Sequence, residues 1–246
     1  MTRKIAVVGA TGRVGEHVVD VLREQGVEPV EIARSLGVDV VSGEGLNEAL
    51  EGVSAIIDCA TGSSPDGAEA AAFFEAATRN LVAARVPRAV VVSIIGIDKF
   101  SSGYNAAKQV HERAWLESGL DVRVLRAAQF HEFVEQMLAW GRQGDVARVP
   151  AMRTQLVAAR AVAESLVYLA LTDDVPAGPI WEIAGPREER LIDAARLVAP
   201  EGVRVEEGAA LGDIDGELLA SGALLPGPDA RLAGPTFEEW VATVAA

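Results

Sequence analysis

Apolar residues fall into two kinds of run along this chain. Short runs rich in Val and Ile occupy Lys4–Val8, Val30–Ala33, Val38–Val41, Ala55–Cys59, Ala89–Ser93 and Val122–Leu125. Such unalternated runs suit strands covered on both faces, as in a parallel sheet. Between them, apolar positions follow helical spacing over Val14–Leu22 (ending near Gly26), Leu46–Glu51, Ala68–Ala84 and Tyr104–Ser118, the last stopped by Gly119. The alternation predicts βαβαβ twice over. The expected fold is therefore α/β, a doubly wound parallel sheet in which the six runs, counted in chain order, lie as 3-2-1-4-5-6. After about residue 128 the rhythm weakens. Helices are expected over Phe130–Trp140, Ala159–Leu171 and Phe237–Val244 and a strand over Ile180–Ala184, separated by Gly/Pro-rich loops at 176–179 and 226–228. Residues 1–128 then form the sheet domain. Residues 129–246 form a smaller C-terminal part over the sheet's carboxyl edge, contributing a strand and a helix back to it.

Composition narrows the class. A chain of 246 residues, half of them hydrophobic, has ample sequence for a sizeable core. No apolar run approaches the roughly 18 residues needed to span a bilayer, so no membrane span is expected. Met1-Thr2-Arg3-Lys4 before an apolar stretch mimics a signal peptide, but that stretch is short and leads at once into glycines, so no targeting segment is read. Cys59 is the only cysteine, which fits a reducing, cytoplasmic setting. The net charge of −14 repels phosphate backbones and argues against nucleic acid as a partner.

The first run is followed directly by Gly9-Ala10-Thr11-Gly12-Arg13-Val14-Gly15 and then by a helix. Strand, glycine turn and helix are the context in which a dinucleotide (Rossmann) fingerprint has meaning. Gly9 permits the tight turn, Gly12 lets backbone approach a pyrophosphate, Gly15 allows close helix–strand packing, and free amides at the helix start face the phosphates. The spacing is G-x-x-G-x-x-G.

At the tip of the second run stands Arg34, where NAD-preferring sites place an acid, and Arg13 lies within the glycine loop. Two forked guanidiniums suit a 2′-phosphate, so NADP(H) is preferred and NAD(H) remains possible; Glu31 is the alternative acidic partner if the strand ends earlier. The expected cofactor surface is Gly9, Thr11, Gly12, Arg13, Val14, Gly15, Arg34, Ser35, Cys59, Ala60, Lys108 and Ala127.

Candidate chemistry lies at Tyr104 and Lys108. Positions i and i+4 share a helix face, placing phenol and ammonium together. A phenol ordinarily titrates near about 10, and a neighbouring cation favours phenolate and brings it toward a useful range. Ser93, eleven residues before Tyr104, ends a strand at the same sheet edge as the glycine loop and can hold a substrate oxygen beside the tyrosine.

The glycine motif, Ser93 and Tyr104-x-x-x-Lys108 resemble the short-chain dehydrogenase/reductase superfamily. The glycine spacing is similar to its atypical or extended branch, near the NmrA-like NAD(P)-binding proteins. The stretches 91–98, 129–133 and 234–240 extend the likeness over most of the chain. The resemblance implies that Tyr104 is the general acid/base, that Lys108 binds the nicotinamide ribose and lowers the tyrosine pKa, and that Ser93 orients the carbonyl. It places Asn80 where many members carry a structural or relay Asn. The family's Gly-Asp adenine contact is Gly43-Glu44 here, and its Pro-Gly after the sixth strand is Ala127-Ala128. Related folds often pair through helices beside the active-site helix, so monomer and homodimer both stand.

Other residues carry weaker signals. His131-Glu132 begins like a zinc motif but lacks its second histidine, so no metal is expected. Gln129, Phe130, His131 and Phe133 are candidates for the substrate pocket, with a buried or helix-start histidine as the plain alternative. Phe130, Phe133, Met137 and Trp140 keep helical spacing, which fits a core stripe. Cys59 also reads as packing, and His17 and His111 as solvated. The reading is an NADP(H)-dependent oxidoreductase acting on a small, largely apolar carbonyl or carbinol. The alternative is a non-catalytic dinucleotide sensor whose C-terminal part binds a partner.

Overall fold

The computed structural model describes residues 3–62, 64, 66–175, 178–208 and 216–244; Pro176, at the start of the expected 176–179 loop, lies outside them. In chain order the elements are β1 (Lys4–Val8), α1 (Arg13–Glu24), β2 (Glu28–Ile32), α2 (Leu46–Ala49), β3 (Ala55–Asp58), α3 (Gly67–Ala83), β4 (Arg88–Ile94), α4 (Gly103–Leu116), β5 (Asp121–Ala127) and α5 (Phe133–Gly141). There follow β6 (Arg142–Gln143), β7 (Val146–Pro150), β8 (Arg153–Thr154), α6 (Ala159–Leu171), β9 (Ile180–Ala184), β10 (Glu189–Arg190), α7 (Leu191–Val198), β11 (Arg204–Gly208), α8 (Gly216–Ser221), β12 (Arg231–Leu232) and α9 (Phe237–Val244).

Seven parallel strands form the central sheet in the order β12-β9-β5-β4-β3-β1-β2. The unalternated runs explain its two covered faces. Ile5, Val7, Val90, Val92 and Leu125 point to one face, where α1 and α6 pack. Ala6, Val8, Ile56, Ala89 and Val91 point to the other, against Ala77 and Leu81 of α3 and Trp115 of α4. Period-two side chains on strands buried on both sides produce this division.

The expected order changes at one edge. Val38–Val41 is not a strand, and β2 is the sheet's outer member there. The Asp39 carboxylate accepts from the Val41 amide, a local turn that competes with a ladder, while the Asn80 side chain donates to the carbonyls of Val40 and Val41 at 2.8 and 2.9 Å. Asn80 thus has a structural place, pinning this segment rather than entering a site. At the other edge the sheet gains β9 and β12 from the C-terminal region, which also returns α6.

The remaining C-terminal elements surround a third core in which Met137, Leu138, Val149, Leu191, Ile192 and Phe237 meet. The expected helix over Phe130–Trp140 begins only at Phe133, because Phe130 forms a parallel bridge to Val157 and the His131 amide donates to the Val157 carbonyl. Backbone already committed to strand-like pairing cannot start a helix. The amphipathic α7, with Leu191, Ile192, Ala194 and Ala195 buried, is an element the sequence reading leaves unassigned.

His131 is fully buried, its ring edge-on to Phe237 and Trp240, with Nε2 donating to the Leu156 carbonyl at 3.1 Å and Nδ1 lacking a partner among the described residues. It therefore belongs to the core rather than to a substrate pocket. Burial holds its pKa down to about 4, against opposing pulls from the Leu156 hydrogen bond and the Glu238 carboxylate. A histidine neutral when folded but ordinary when unfolded contributes stability that is complete above about 6.5 and lost as pH falls toward about 4. The expected loss is up to about 3 kcal/mol. His131→Gln keeps a donor for Leu156 and does not titrate, so urea midpoints at pH 7 and pH 4.5 should draw together relative to wild type. Parallel losses in both proteins would count against this account.

Candidate functional site

The glycine loop is built by close backbone approach. Gly9 has φ +76°, left-handed backbone that favours glycine, and its amide donates to the Ile32 carbonyl at 2.9 Å, tying the loop to the end of β2. A methyl group on Gly15 would stand 2.0 Å from the Gly9 carbonyl oxygen, so only glycine lets α1 sit this near the turn. Gly12 caps α1 without a side-chain hydrogen bond, leaving the first-turn amides open to an anion. Thr11, Gly12 and Arg13 are exposed, while Val14 and Gly15 are buried beneath them. Loop and helix start together make a cradle that fits a dinucleotide pyrophosphate.

Around that cradle the expected residues divide. Arg34 and Ser35 are exposed in a short 3-10 turn just past β2. Glu31 is paired with Arg23 at 2.5 Å. Arg13 donates to Gln136 Oε1 of α5 at 3.2 Å. Cys59 and Ala60 follow β3 beside the loop: a side chain on Gly9 would meet Ala60 Cα at 3.0 Å. Burial, with the Asp58 carboxylate beside it, pushes the Cys59 thiol well up, so it is no nucleophile at neutral pH. Ala127 packs into the core, with its carbonyl accepting from the Ile95 amide at 3.1 Å.

Helix α4 carries the chemistry-bearing residues in its first two turns. The Tyr104 hydroxyl lies 2.8 Å from Thr61 Oγ1, in the loop after β3. Its ring is edge-on to Phe74 of α3 at 6.0 Å. Lys108, one turn on, is 4% exposed, and its ammonium stands 4.6 Å over the Phe74 ring. Burial lowers its pKa to about 8, against the pull of the Asp58 and Glu112 carboxylates. Tyr104 departs from the sequence expectation: burial raises its pKa, and the force pulling it down is the Thr61 hydrogen bond.

Ser93 is placed differently from the motif's expectation. Its side chain is buried, and its hydroxyl donates to Glu112 Oε2 of α4 at 2.7 Å. Glu112 also receives Arg126 of β5 through two bonds, at 2.7 and 3.1 Å, and Arg126 reaches Asp98 at 2.8 Å. Beneath Lys108 lies a second buried group that the sequence reading missed. Asp58 Oδ2 accepts from His111 Nε2 and from Trp115 Nε1, both at 3.0 Å, while Oδ1 accepts from the Ala60 amide at 3.0 Å. Burial works to raise the Asp58 pKa, but the His111 hydrogen bond and the Lys108 charge leave it lowered; burial, then the Lys108 charge, lowers that of His111. Asp58 is the ionised partner and His111 the neutral one. His111 and Trp115, at i and i+4 on α4, are the pattern that would have pointed to this pair; a solvated His111 is corrected here by its 2% exposure.

Of the remaining pocket candidates, Gln129 accepts from Thr154 Oγ1 at 2.8 Å, Phe130 bridges to Val157, and Phe133 is edge-on to Trp140 at 5.8 Å. No cluster of His, Cys, Asp or Glu suited to a metal occurs among the described residues. Nor is any described helix long and apolar enough to cross a membrane.

Known proteins place this geometry. The structure is similar to that of dTDP-4-dehydrorhamnose reductase from Bacillus anthracis in complex with NADP (TM-score 0.74, 16% identity, 99% of this chain and 98% of that one). It is also similar to TunA, an NAD-dependent NDP-hexosamine 5,6-dehydratase of tunicamycin biosynthesis (TM-score 0.69, 16% identity, 98% of each chain). A third is UDP-glucose 4-epimerase of Thermus thermophilus in complex with NAD (TM-score 0.66, 15% identity, 98% of this chain and 93% of that one). At such identities the likeness is one of fold, a nicotinamide-nucleotide-binding fold used by reductases, dehydratases and epimerases. No curated protein matches at the level of sequence. The model of the family described as NAD(P)H-binding matches residues 9–170, from the glycine loop through α6. The chain belongs to this NAD(P)H-binding family.

Proposed function

We propose that the protein is an NADP(H)-dependent oxidoreductase that interconverts a small, largely apolar carbonyl compound and its alcohol, with Tyr104 as general acid/base. The observation that carries this reading is the first two turns of α4. A phenol and a buried ammonium that enters no ion pair among the described residues are set at the sheet edge that also carries the open glycine cradle. The nicotinamide would supply the hydride to the carbonyl carbon, or take it back in the reverse direction. The C=O electron pair then moves to oxygen, which takes the Tyr104 proton, and the phenolate is refilled from solvent. Lys108, bearing an ammonium with no carboxylate in salt-bridge contact, has donors free for ribose hydroxyls. Gly9, Gly12 and Gly15 hold the pyrophosphate backbone, while Arg13 and Arg34 grip a 2′-phosphate. Pairing of Glu31 with Arg23 supports NADP(H) over NAD(H), because it offsets the charge of the nearest acid. Phe130 and Phe133, just past β5, support an apolar substrate such as a cyclic ketone or quinone.

Absorbance of NADPH under a panel of such carbonyls tests the activity. Titrating NADPH and NADH by quenching of the four tryptophans tests the cofactor. Arg34→Ala removes a charge-assisted bond of about 1.5–3 kcal/mol. NADPH affinity should therefore fall about 10- to 150-fold, with NADH affinity unchanged. Equal losses for both cofactors would refute the 2′-phosphate assignment, and turnover confined to sugar nucleotides or other highly charged compounds would refute the substrate class.

A further inference from the structure

Two neighbouring strands each bring a hydroxyl side chain toward the carboxyl edge of the sheet, and the structure turns the two in different directions. Ser93 of β4 looks inward. It is 2% exposed, and its proton is committed to Glu112, itself fixed by Arg126. Thr61, in the loop leaving β3, is exposed, and its Oγ1 lies 2.8 Å from the Tyr104 hydroxyl. We infer that Thr61 is the residue that positions the Tyr104 phenol, while Ser93, to which the sequence motif assigns the substrate carbonyl, is bonded to Glu112 instead. This assignment rests on the acid/base reading of Tyr104 given above.

Three observations carry it. Among the described residues the Thr61 hydroxyl has one competing acceptor, the Gly62 carbonyl at 3.4 Å, so the tyrosine is its better partner by distance. The loop and the phenol share a packed support. Gly62 lies against the Phe73 ring, which a side chain there would meet at 3.3 Å; Phe73 is edge-on to Phe74, and Phe74 is edge-on to Tyr104. The Lys108 ammonium covers the same Phe74 ring. Hydroxyl and phenol are thus held by one aromatic row, which keeps the phenol oxygen beside Thr61 without a bond to Ser93. The chemistry also fits. A hydroxyl donating to the phenol oxygen favours phenolate, and it opposes the upward push of burial at this site.

The sequence has only two tyrosines, and the second, Tyr168 on α6, is 49% exposed. In a Tyr168→Phe background, ultraviolet absorbance of phenolate therefore titrates Tyr104 alone. Thr61→Val should move that titration upward, Thr61→Ser should restore it, and Ser93→Ala should lower the thermal midpoint while leaving the titration in place. Far-UV circular dichroism on the same samples confines the comparison to folded protein. With an identified carbonyl, kcat at neutral pH reads the same bond. Loss of about 1–1.5 kcal/mol corresponds to roughly a 5- to 10-fold fall in kcat for Thr61→Val, with NADPH affinity unchanged and recovery in Thr61→Ser. A titration unmoved by Thr61→Val, or moved by Ser93→Ala, would overturn the assignment of Thr61 alone. Wild-type turnover by Tyr104→Phe would instead overturn the acid/base reading, and with it Thr61's part in that reaction.

Discussion

Tyr104→Phe is expected to lower carbonyl turnover by about 10²–10⁴-fold, the usual contribution of a positioned general acid–base group, while leaving fold and NADPH affinity intact. The substitution removes one oxygen. The ring keeps its edge-on contact with Phe74 and its place beside Ala70 and Ala107. The hydrogen bond it gives up ends on Thr61, an exposed residue that water can serve instead. Lys108→Met should behave differently. It replaces a buried ammonium with an apolar chain of similar length, so folding should survive, whereas rate and cofactor affinity should fall together. Steady-state kinetics alongside tryptophan quenching separates the two variants. A dinucleotide sensor would give the opposite pattern, with Tyr104→Phe silent in every assay and no carbonyl reduced by the wild type.

The frame was legible because parallel strands covered on both faces leave a strong mark. The runs at Ile5, Ile56, Val90 and Val124 are short, unalternated and rich in Val and Ile, and the glycine spacing encodes a backbone approach that Gly15 makes explicit. Val38–Val41 has the same composition but is not a strand, because side-chain bonds from Asp39 and Asn80 take the backbone groups a ladder needs. Those competitors lie two and forty residues away, and only the near one is visible in a local window. The C-terminal region was harder to read for a related reason. The strands β6, β8, β10 and β12 are two residues each, too short to show a period, and Phe130 looks helical by spacing while pairing with Val157.

Within the site, the motif named Tyr104 and Lys108 but not their surroundings. Thr61 has no motif of its own, because its partner lies 43 positions away. Asp58 and Glu112 hide in stretches that look like plain strand and plain helix. A buried carboxylate beneath a helix is chosen by what crosses to it from other elements, and a single sequence does not display those crossings. Placing Ser93 at a strand end was sound geometry, yet strand position alone does not decide which face of the sheet the side chain serves. In β4, Ala89 and Val91 already point to the α4 side, and Ser93 shares their parity.

Glu112 is where a single charge should matter most for stability. Its carboxylate is 4% exposed and joins three elements: Ser93 of β4, Arg126 of β5 and its own helix α4. Glu112→Ala leaves the Ser93 hydroxyl without its acceptor and deprives a half-buried guanidinium of two bonds. Removing one partner of such a buried pair costs on the order of 3–5 kcal/mol. Because Asp98 still engages Arg126, the expected cost is at the low end, about 3 kcal/mol. For a chain of this length that is a fall in Tm of roughly 6–12 °C. Asp98→Asn touches the same arginine from a solvent-exposed carboxylate and should cost at most about 1 kcal/mol. Glu112→Gln is the sharper probe, because it keeps the shape and one acceptor oxygen and removes only the charge; it should fall between the two. Urea denaturation of all three against wild type orders them. A Glu112→Ala loss no larger than that of Asp98→Asn would mean that Arg126 is held by its surface partner and that the buried network contributes little. In that case the Ser93 hydroxyl would be only loosely held by Glu112, and the motif's assignment of the substrate carbonyl to Ser93 would return.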